Sequence, residues 1–166
     1  MKRELLHRLS DWIRGIGLTV REQSLNGTTF LPGLTIGNGE LVVDPDKILW
    51  PGDLLHEAGH LALTPAADRP ALNGKLTVTP AEEMAAMAWS YAAALDAGVG
   101  AEVVFHEGGY RNGGSQLAAQ YASGLPPGGP GVPILQWYGM TTAFPRMTHW
   151  LRPEPSASAT ADEAAA

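Results

Sequence analysis

A short run of mostly apolar residues, 54–63, constrains the fold more than any other part of the chain. Its pattern predicts an α-helix that ends before Pro65, because proline cannot continue the hydrogen-bond ladder of a helix. The helix is apolar nearly all round, and its polar side chains are those of His56, Glu57 and His60. A helix of this kind is stable when it is buried, so the sequence predicts that the rest of the chain packs around it.

The three polar residues of this helix follow the metal-binding pattern H-E-x-x-H. On a helix the two histidines are one turn and about 40° apart, so both imidazole rings face the same point. Glu57 lies about 100° round from His56, where its carboxylate can take a proton from metal-bound water without itself binding the metal. Buried polar groups are costly without partners, and a metal ion in a cleft would be such a partner. The spacing therefore predicts a metal site with Glu57 as its general base.

Other interpretations of the motif stay open. The imidazoles of His56 and His60 could be hydrogen-bonded to the backbone in the core, with Glu57 exposed to solvent. Two imidazoles and a carboxylate can also hold first-row ions other than zinc. The chain has no cysteine, so any metal must be held by His, Asp or Glu, and the fold cannot depend on disulfides.

The motif resembles that of the zincin metallopeptidases. In the metzincin branch a Gly stands three residues, and a third His six residues, after the second His of the motif, but here Leu63 and Ala66 occupy those positions. In the gluzincin branch a Glu on the next helix completes the site, and Glu82 and Glu83 stand at the expected distance from His60. The resemblance implies a Zn²⁺ ion held by the two histidines of the motif and one of these glutamates.

The choice between the two glutamates depends on how the second helix begins. Residues 79–82, Thr-Pro-Ala-Glu, have the form of a capping box, in which the carboxylate of Glu82 accepts a hydrogen bond from the backbone of Thr79. This leaves Glu83 free, and we predict Glu83 as the third ligand. Glu82 stays an alternative, because helix boundaries inferred from sequence carry errors of a residue or more. Either carboxylate could also serve only the helix dipole, which favours acidic residues in the first turn.

Among the gluzincins, the order of elements is most similar to the small bacterial group related to the ImmA/IrrE metallopeptidases. That group has a short N-terminal helix, a three-stranded sheet, the motif helix and then an Ala-rich helix that carries the Glu. Residues 83–88, Glu-Met-Ala-Ala-Met-Ala, resemble its Glu-Ala-Asn-x-Phe-Ala stretch without the Asn and the Phe. The similarity covers residues 18–96, and no regulator-binding or DNA-binding appendage is recognisable.

The remaining patterns predict an α+β fold, with a small antiparallel sheet packed on the motif helix and on the second, ligand-bearing helix. Apolar side chains at helical spacing predict an amphipathic helix over residues 3–14. The β-type runs from 18 to 44 include a hairpin turn at Asn38-Gly39. We predict a single domain over residues 1–152 and a disordered tail over residues 153–166, whose Pro, Ser and Ala composition offers little to bury.

Beyond the second helix the sequence is less regular. It predicts a strand or short buried segment at 103–105, a glycine-rich loop at 106–114, a short helix at 115–122, an irregular stretch at 125–133 and an apolar segment at 134–150 that returns to the core. Peptide-cleaving zinc sites usually need a donor to the developing oxyanion. In the loop, Tyr110 is the first candidate, His106 the second, and Arg111 lies beside them, although a simple surface loop is equally consistent. His149 and Asp96 are weaker polar candidates.

The motif and the resemblance together predict a zinc-dependent hydrolase, most simply a peptidase acting on a peptide or protein substrate. In this hypothesis Glu57 activates the metal-bound water and Tyr110 stabilises the oxyanion. The alternative hypothesis is a metal-stabilised, zincin-like binding or regulatory protein without turnover.

Charge and hydropathy argue against several other classes of protein. The net charge is −6 with only 11 Lys and Arg residues, so direct nucleic-acid binding is disfavoured. The longest weakly polar run, residues 84–95, is too short to cross a bilayer. Glu4, His7 and Asp11 interrupt the apolar residues near the N-terminus, where a secretory signal would need a continuous apolar core. We therefore expect a cytoplasmic protein that binds neither nucleic acid nor a membrane, with its oligomeric state left open.

Overall fold

A computed structural model describes residues 1–110, 113–124 and 129–155 of the chain. Within these ranges the α-helices are α1 (Lys2–Gly15), α2 (Asp53–Leu63), α3 (Pro80–Asp96), α4 (Gly114–Ala122) and α5 (Val132–Trp137). The strands are β1 (Val20–Glu22), β2 (Leu34–Gly37), β3 (Glu40–Val43), β4 (Thr141–Ala143) and β5 (Arg146–Met147). Short 3₁₀ turns occupy Arg69–Ala71 and Ala101–Val103. The α+β class predicted from the sequence is confirmed.

Three strands, in the order β1-β3-β2, form the larger sheet. β2 and β3 are an antiparallel hairpin in which Thr35 pairs with Val42, and Asn38 and Gly39 take the left-handed conformation at the turn, with φ of 52° and 75°. β1 lies on the other side of β3 and runs parallel to it. The prediction of an antiparallel sheet is therefore right for the hairpin and wrong for β1. The long connection over residues 23–33 leads from β1 to β2, which lies at the opposite edge of the sheet, and β3 then pairs between them.

The motif helix α2 contacts α1, the hairpin strands β2 and β3, and α3. Its apolar side chains are fully buried, at Leu54, Leu55, Ala58, Leu61 and Ala62. α1, which was predicted over residues 3–14, buries one face through Leu6, Leu9 and Ile13. The prediction that the chain packs around the motif helix is confirmed.

A glycine lets α2 and α3 approach each other closely. A Cβ atom on Gly59 would lie 3.1 Å from the carbonyl oxygen of Ala86 and 3.2 Å from the ring of Trp89, which is tighter than ordinary van der Waals contact. The facing part of α3 is rich in buried alanine, so little side-chain bulk separates the two backbones. The close contact brings the polar side chains of α2 opposite the first turn of α3.

The chain after α3 differs most from the sequence-based expectations. Of the two alternatives for residues 103–105, the buried segment is correct, because Val104 and Phe105 follow a 3₁₀ turn and are buried. α4 agrees with the predicted helix at 115–122 to within a residue. The stretch expected to be irregular, 125–133, contains the start of α5, and its residues 125–128 lie outside the described ranges.

The final apolar segment returns to the core as predicted, although it is built from more elements than the sequence indicated. β4 and β5 form a small antiparallel sheet. The rings of Trp12, Trp89 and Trp150 pack edge to face, and the indole nitrogen of Trp89 donates a hydrogen bond of 2.9 Å to the carbonyl of Trp150. Of the predicted tail, residues 156–166 lie outside the described ranges. None of the described helices is long and apolar enough to cross a membrane.

Candidate metal centre

The two histidines of α2 face one point, as their spacing predicts. The Nε2 atoms of His56 and His60 are 3.2 Å apart, and the two rings are nearly perpendicular. The side chain of His60 is 7% exposed and that of His56 is 14% exposed. Two imidazole nitrogens are thus held side by side at the wall of a groove, with the apolar face of α2 anchored in the core behind them.

The first turn of α3 brings Glu83 to these nitrogens. Its two carboxylate oxygens lie 3.0 Å from Nε2 of His56 and 3.1 Å from Nε2 of His60. Glu82 has another role, because its carboxylate accepts a hydrogen bond of 2.6 Å from the backbone nitrogen of Thr79, whose hydroxyl accepts in return from the nitrogen of Glu82. The predicted capping box is confirmed. The structure therefore places Glu83, and not Glu82, against both imidazoles.

The donor atoms fit a small metal ion. His56, Glu57 and His60 form a group that could hold one, since one ligand atom from each lies within 4.8 Å of the others. The two Nε2 atoms and the two carboxylate oxygens of Glu83 are closer together: the Nε2 atoms are 3.2 Å apart, and one oxygen of Glu83 lies 3.0 Å from that of His56 and the other 3.1 Å from that of His60. Donors in a tetrahedral zinc site, at bond lengths of about 2.0–2.1 Å, are about 3.3 Å apart. These distances and the donor types are therefore compatible with such a site.

The charges of this cluster are arranged around Glu83. Hydrogen bonds from His56 and His60 hold the pKa of the Glu83 carboxyl far below its ordinary value. For His56, burial acts to lower the pKa, but the hydrogen bond and negative charge of Glu83 outweigh it and raise the pKa above the ordinary value. The two imidazoles and the carboxylate of Glu83 are therefore electrostatically coupled, and a divalent cation held there would compete with protons for the same donor atoms.

Glu57 is the carboxylate that the cluster leaves unpaired. It lines the groove beside the two histidines, and within the described residues no group donates a hydrogen bond to it. Burial raises the pKa of this carboxyl, although the neighbouring histidines act in the opposite direction. A half-buried carboxylate with a raised pKa, next to possible metal ligands, is suited to accept and release a proton.

The loop after α3 places Tyr110 on the other side of His56. The hydroxyl oxygen of Tyr110 lies 3.4 Å from Nδ1 of His56, and the side chain lines the groove. Burial and nearby carboxylates raise the pKa of this phenol, so it stays protonated in the working range of a protein. Tyr110 therefore contacts the ring of His56 and also faces the groove in front of the candidate centre.

His106, the second candidate of this loop, points elsewhere. Its Nε2 atom is 2.7 Å from a carboxylate oxygen of Asp53, and its ring stacks on Trp50 at 4.4 Å. Sequence reasoning missed Asp53, which stands one turn before His56 and also lines the groove. That one-turn spacing on the face of α2 was the available signal. Arg111 lies outside the described residues.

The weaker polar candidates lie away from the described lining of the groove. Asp96 accepts a hydrogen bond of 2.8 Å from the indole nitrogen of Trp12. The exposed His149 has its Nδ1 atom 3.2 Å from the carbonyl oxygen of Gly139. Both therefore have structural partners and no contact with the candidate centre.

The groove in front of these residues has a volume of about 780 Å³, within the range of about 300–1,000 Å³ that is common for small-molecule sites. Its walls come from α2, the start of α3, the loop at 108–110, the edge strand β2 with the residues before it, and the segment 74–78. A ligand in the groove would therefore have direct access to the candidate centre.

The structure does not favour the interpretation of His56 and His60 as ordinary core histidines. In the part of the chain that the structure describes, neither imidazole bonds to a backbone group, and both face the carboxylate of Glu83. Comparisons with protein-family models, with curated proteins and with solved structures find no match to this chain. The case for metal chemistry therefore depends on the geometry of this cluster.

Proposed function

We propose that this protein is a zinc-dependent hydrolase that cleaves peptide bonds, with zinc held by His56, His60 and Glu83. The observation that carries the proposal is the contact of both carboxylate oxygens of Glu83 with the adjacent Nε2 atoms of His56 and His60, at 3.0 and 3.1 Å, beside the unpaired carboxylate of Glu57. The resemblance to gluzincin metallopeptidases of the ImmA/IrrE type implies the two histidines and either Glu82 or Glu83, and Glu83 is the glutamate that contacts both imidazoles. Other first-row ions suit the same donors, so the metal is part of the proposal.

A zinc ion held there would supply Lewis acidity, polarising a substrate carbonyl and lowering the pKa of a water molecule. Glu57 accepts the proton of the attacking water on its carboxylate and passes it to the leaving amine. Burial raises the pKa of this carboxyl, which favours its taking up the proton before it is passed on.

Tyr110 has two tasks in this proposal. Its hydroxyl oxygen accepts a hydrogen bond from Nδ1 of His56, which keeps the proton on that atom and leaves the Nε2 lone pair for the metal. The phenolic hydrogen is then directed away from His56 and can be donated to a substrate oxygen in the groove. Tyr110 is therefore the proposed oxyanion donor, and it also orients a ligand.

The second candidate function is a metal-stabilised binding or regulatory protein. It is favoured by the way Glu83 joins α3 to both histidines of α2, because an ion at that point would tie two core helices together whether or not any bond is cleaved. The two candidates share the metal and differ only in turnover.

The test compares the wild-type protein with Glu57→Gln. We expect about one zinc per chain in both proteins by elemental analysis, and cleavage of a mixed peptide library by the wild type alone. Loss of a general base lowers turnover by about 100-fold or more, so mass spectrometry should find almost no products with the variant.

Glu82→Gln serves as the matched control, since its side chain caps α3 and does not contact the histidines. This variant should keep both zinc and turnover. A wild-type protein that binds zinc but cleaves no peptide would support the second candidate, and a protein that binds no divalent metal would contradict both.

A further inference from the structure

One wall of the groove is apolar, in contrast to the wall that carries the candidate centre. β2 contributes Leu34 and Ile36, and Leu31 lies just before this strand. The segment 74–78 contributes Leu76 and Val78. We call these five residues the apolar pocket. It belongs to the same cavity as the histidines and Glu57, so a ligand at the centre has this surface within reach.

The apolar pocket is held in place by two contacts between its sides. The backbone nitrogen of Gly74 donates a hydrogen bond of 2.8 Å to the carbonyl of Ile36. At the rim, the ammonium group of Lys75 lies 4.2 Å from the ring centre of Phe30. The two sides are therefore joined at both positions, and the pocket is already formed in the protein without a ligand.

The side chains of the pocket differ in how far the fold itself covers them. Leu34 and Ile36 point to one face of β2 and are almost completely buried, so they form the floor. Leu31, Leu76 and Val78 are only partly buried and keep apolar surface toward the groove. That remaining surface is available to cover a side chain of a bound ligand.

The charges around the cavity restrict which side chain fits. Asp53, Glu57 and Glu83 line the opposite wall, so a negatively charged side chain would be repelled. The same carboxylates would attract a positively charged side chain, but Asp53 and Glu83 already contact histidines. Such a side chain would also lose its hydration against the aliphatic walls and would meet Lys75 at the rim. A large uncharged, apolar side chain suffers neither penalty.

We propose that the apolar pocket selects peptide segments with a bulky aliphatic or aromatic residue next to the bond that is cleaved. This inference rests on the proposed function, because the bond is cut at the centre that shares the cavity. Burying a Leu or Phe side chain, in place of Ala, gives about a 10- to 100-fold preference. The substrate class is therefore a flexible or unfolded peptide segment with an exposed large apolar residue.

The first experiment measures selectivity in cleavage. Peptides with a Ser-Gly background and one varied residue, which is Phe, Leu, Ala, Glu or Lys, are incubated with zinc-loaded protein. We expect kcat/KM for the Leu and Phe peptides to exceed that for the Ala peptide by about 10-fold or more, with Glu and Lys peptides below Ala. Equal rates for all five would overturn the proposal.

Two variants test whether the apolar pocket is responsible. Val78→Phe fills it and should reduce the ratio of Leu to Ala to less than about threefold, whereas Leu76→Ala enlarges it and should shift the preference from Leu toward Phe. Leu95→Phe is the matched control, since Leu95 is 46% exposed on α3 away from the groove and should keep the wild-type ratio. If both pocket variants fold, bind zinc and keep the wild-type ratios, the proposal is wrong.

A binding experiment separates this proposal from the proposed function. The same peptides, carrying a fluorescent label, are titrated with zinc-loaded Glu57→Gln protein, and Kd is measured by anisotropy. Tighter binding of Leu and Phe peptides without any cleavage by the wild type would keep the apolar pocket and overturn the hydrolase. Cleavage without selectivity at the varied residue would keep the hydrolase and overturn the pocket, and neither cleavage nor selective binding would overturn both.

Discussion

α2 and α3 both contribute to the candidate centre, but they position their side chains in different ways. His56 and His60 lie within α2, and their side chains are 14% and 7% exposed, with a fully buried apolar face behind them. Glu83 lies in the first turn of α3, and its side chain is 40% exposed. The histidines are therefore fixed by tertiary packing, whereas Glu83 depends on a helix cap and on its contacts with the imidazoles.

This difference gives an order of sensitivity to substitution. The candidate ligands on α2 are pre-organised by the core, so little conformational freedom would be lost when they bind an ion. The candidate ligand on α3, Glu83, lies at a partly exposed helix terminus and would have to be ordered on binding, which lowers its net contribution to metal affinity. The predictions below test that order, beginning with the largest effect.

Removing a buried histidine is expected to have the largest effect. In His60→Ala the zinc affinity should fall by more than about 100-fold. This is more than the affinity usually lost when a residue that only hydrogen-bonds to a metal ligand is removed. Glu83→Ala should weaken binding less, by about 10- to 100-fold, because its ordering costs more. Competition with a chromophoric chelator measures both affinities, and equal losses would show that the two helices do not differ.

The second-largest effect is expected when a larger side chain pushes α2 and α3 apart. Gly59→Val places two methyl groups against the backbone of Ala86 and the ring of Trp89, and should destabilise the metal-free protein by about 1–3 kcal/mol. Urea denaturation in the presence of a chelator measures this change. Gly15→Val is the control, since a side chain there meets nothing within 4 Å, and it should stay within about 0.5 kcal/mol of wild type.

The smallest effect is expected at the helix cap. Thr79→Ala removes the hydroxyl that accepts from the nitrogen of Glu82, and should cost about 1 kcal/mol of stability. Because the cap fixes the turn that carries Glu83, zinc affinity should also fall, by a few-fold. Thr79→Ser keeps the hydroxyl and should restore both values. An affinity loss as large as that of Glu83→Ala would mean that the cap, and not the imidazoles, holds the carboxylate in place.

The sequence predicted those features that depend on neighbouring residues. The motif helix ends at Leu63, two residues before Pro65, the hairpin turns at Asn38-Gly39, and α3 begins at its capping box, because each signal is local. The parallel pairing of β1 depends instead on where a long connection brings β2. The small sheet of β4 and β5 likewise gave no strong alternating pattern in so short a segment.

The same distinction applies to the candidate site. The spacing of His56 and His60 was enough to place their rings, whereas the choice of Glu83 needed the family resemblance and the cap. The contact between Asp53 and His106 joins residues that are far apart in the chain and could not be inferred from spacing alone. The apolar wall also combines two distant segments, at 31–36 and 74–78, so its presence follows only from the fold.

The contact of Glu83 with two histidines also has a thermodynamic meaning. The helices it connects are separated by residues 64–79, and in the unfolded chain nothing keeps the three side chains together. Any ion that prefers the assembled cluster must then shift the folding equilibrium, by about 2.7 kcal/mol when its free concentration is 100 times Kd. The melting temperature would in that case report the availability of the metal around the protein, apart from any reaction in the groove.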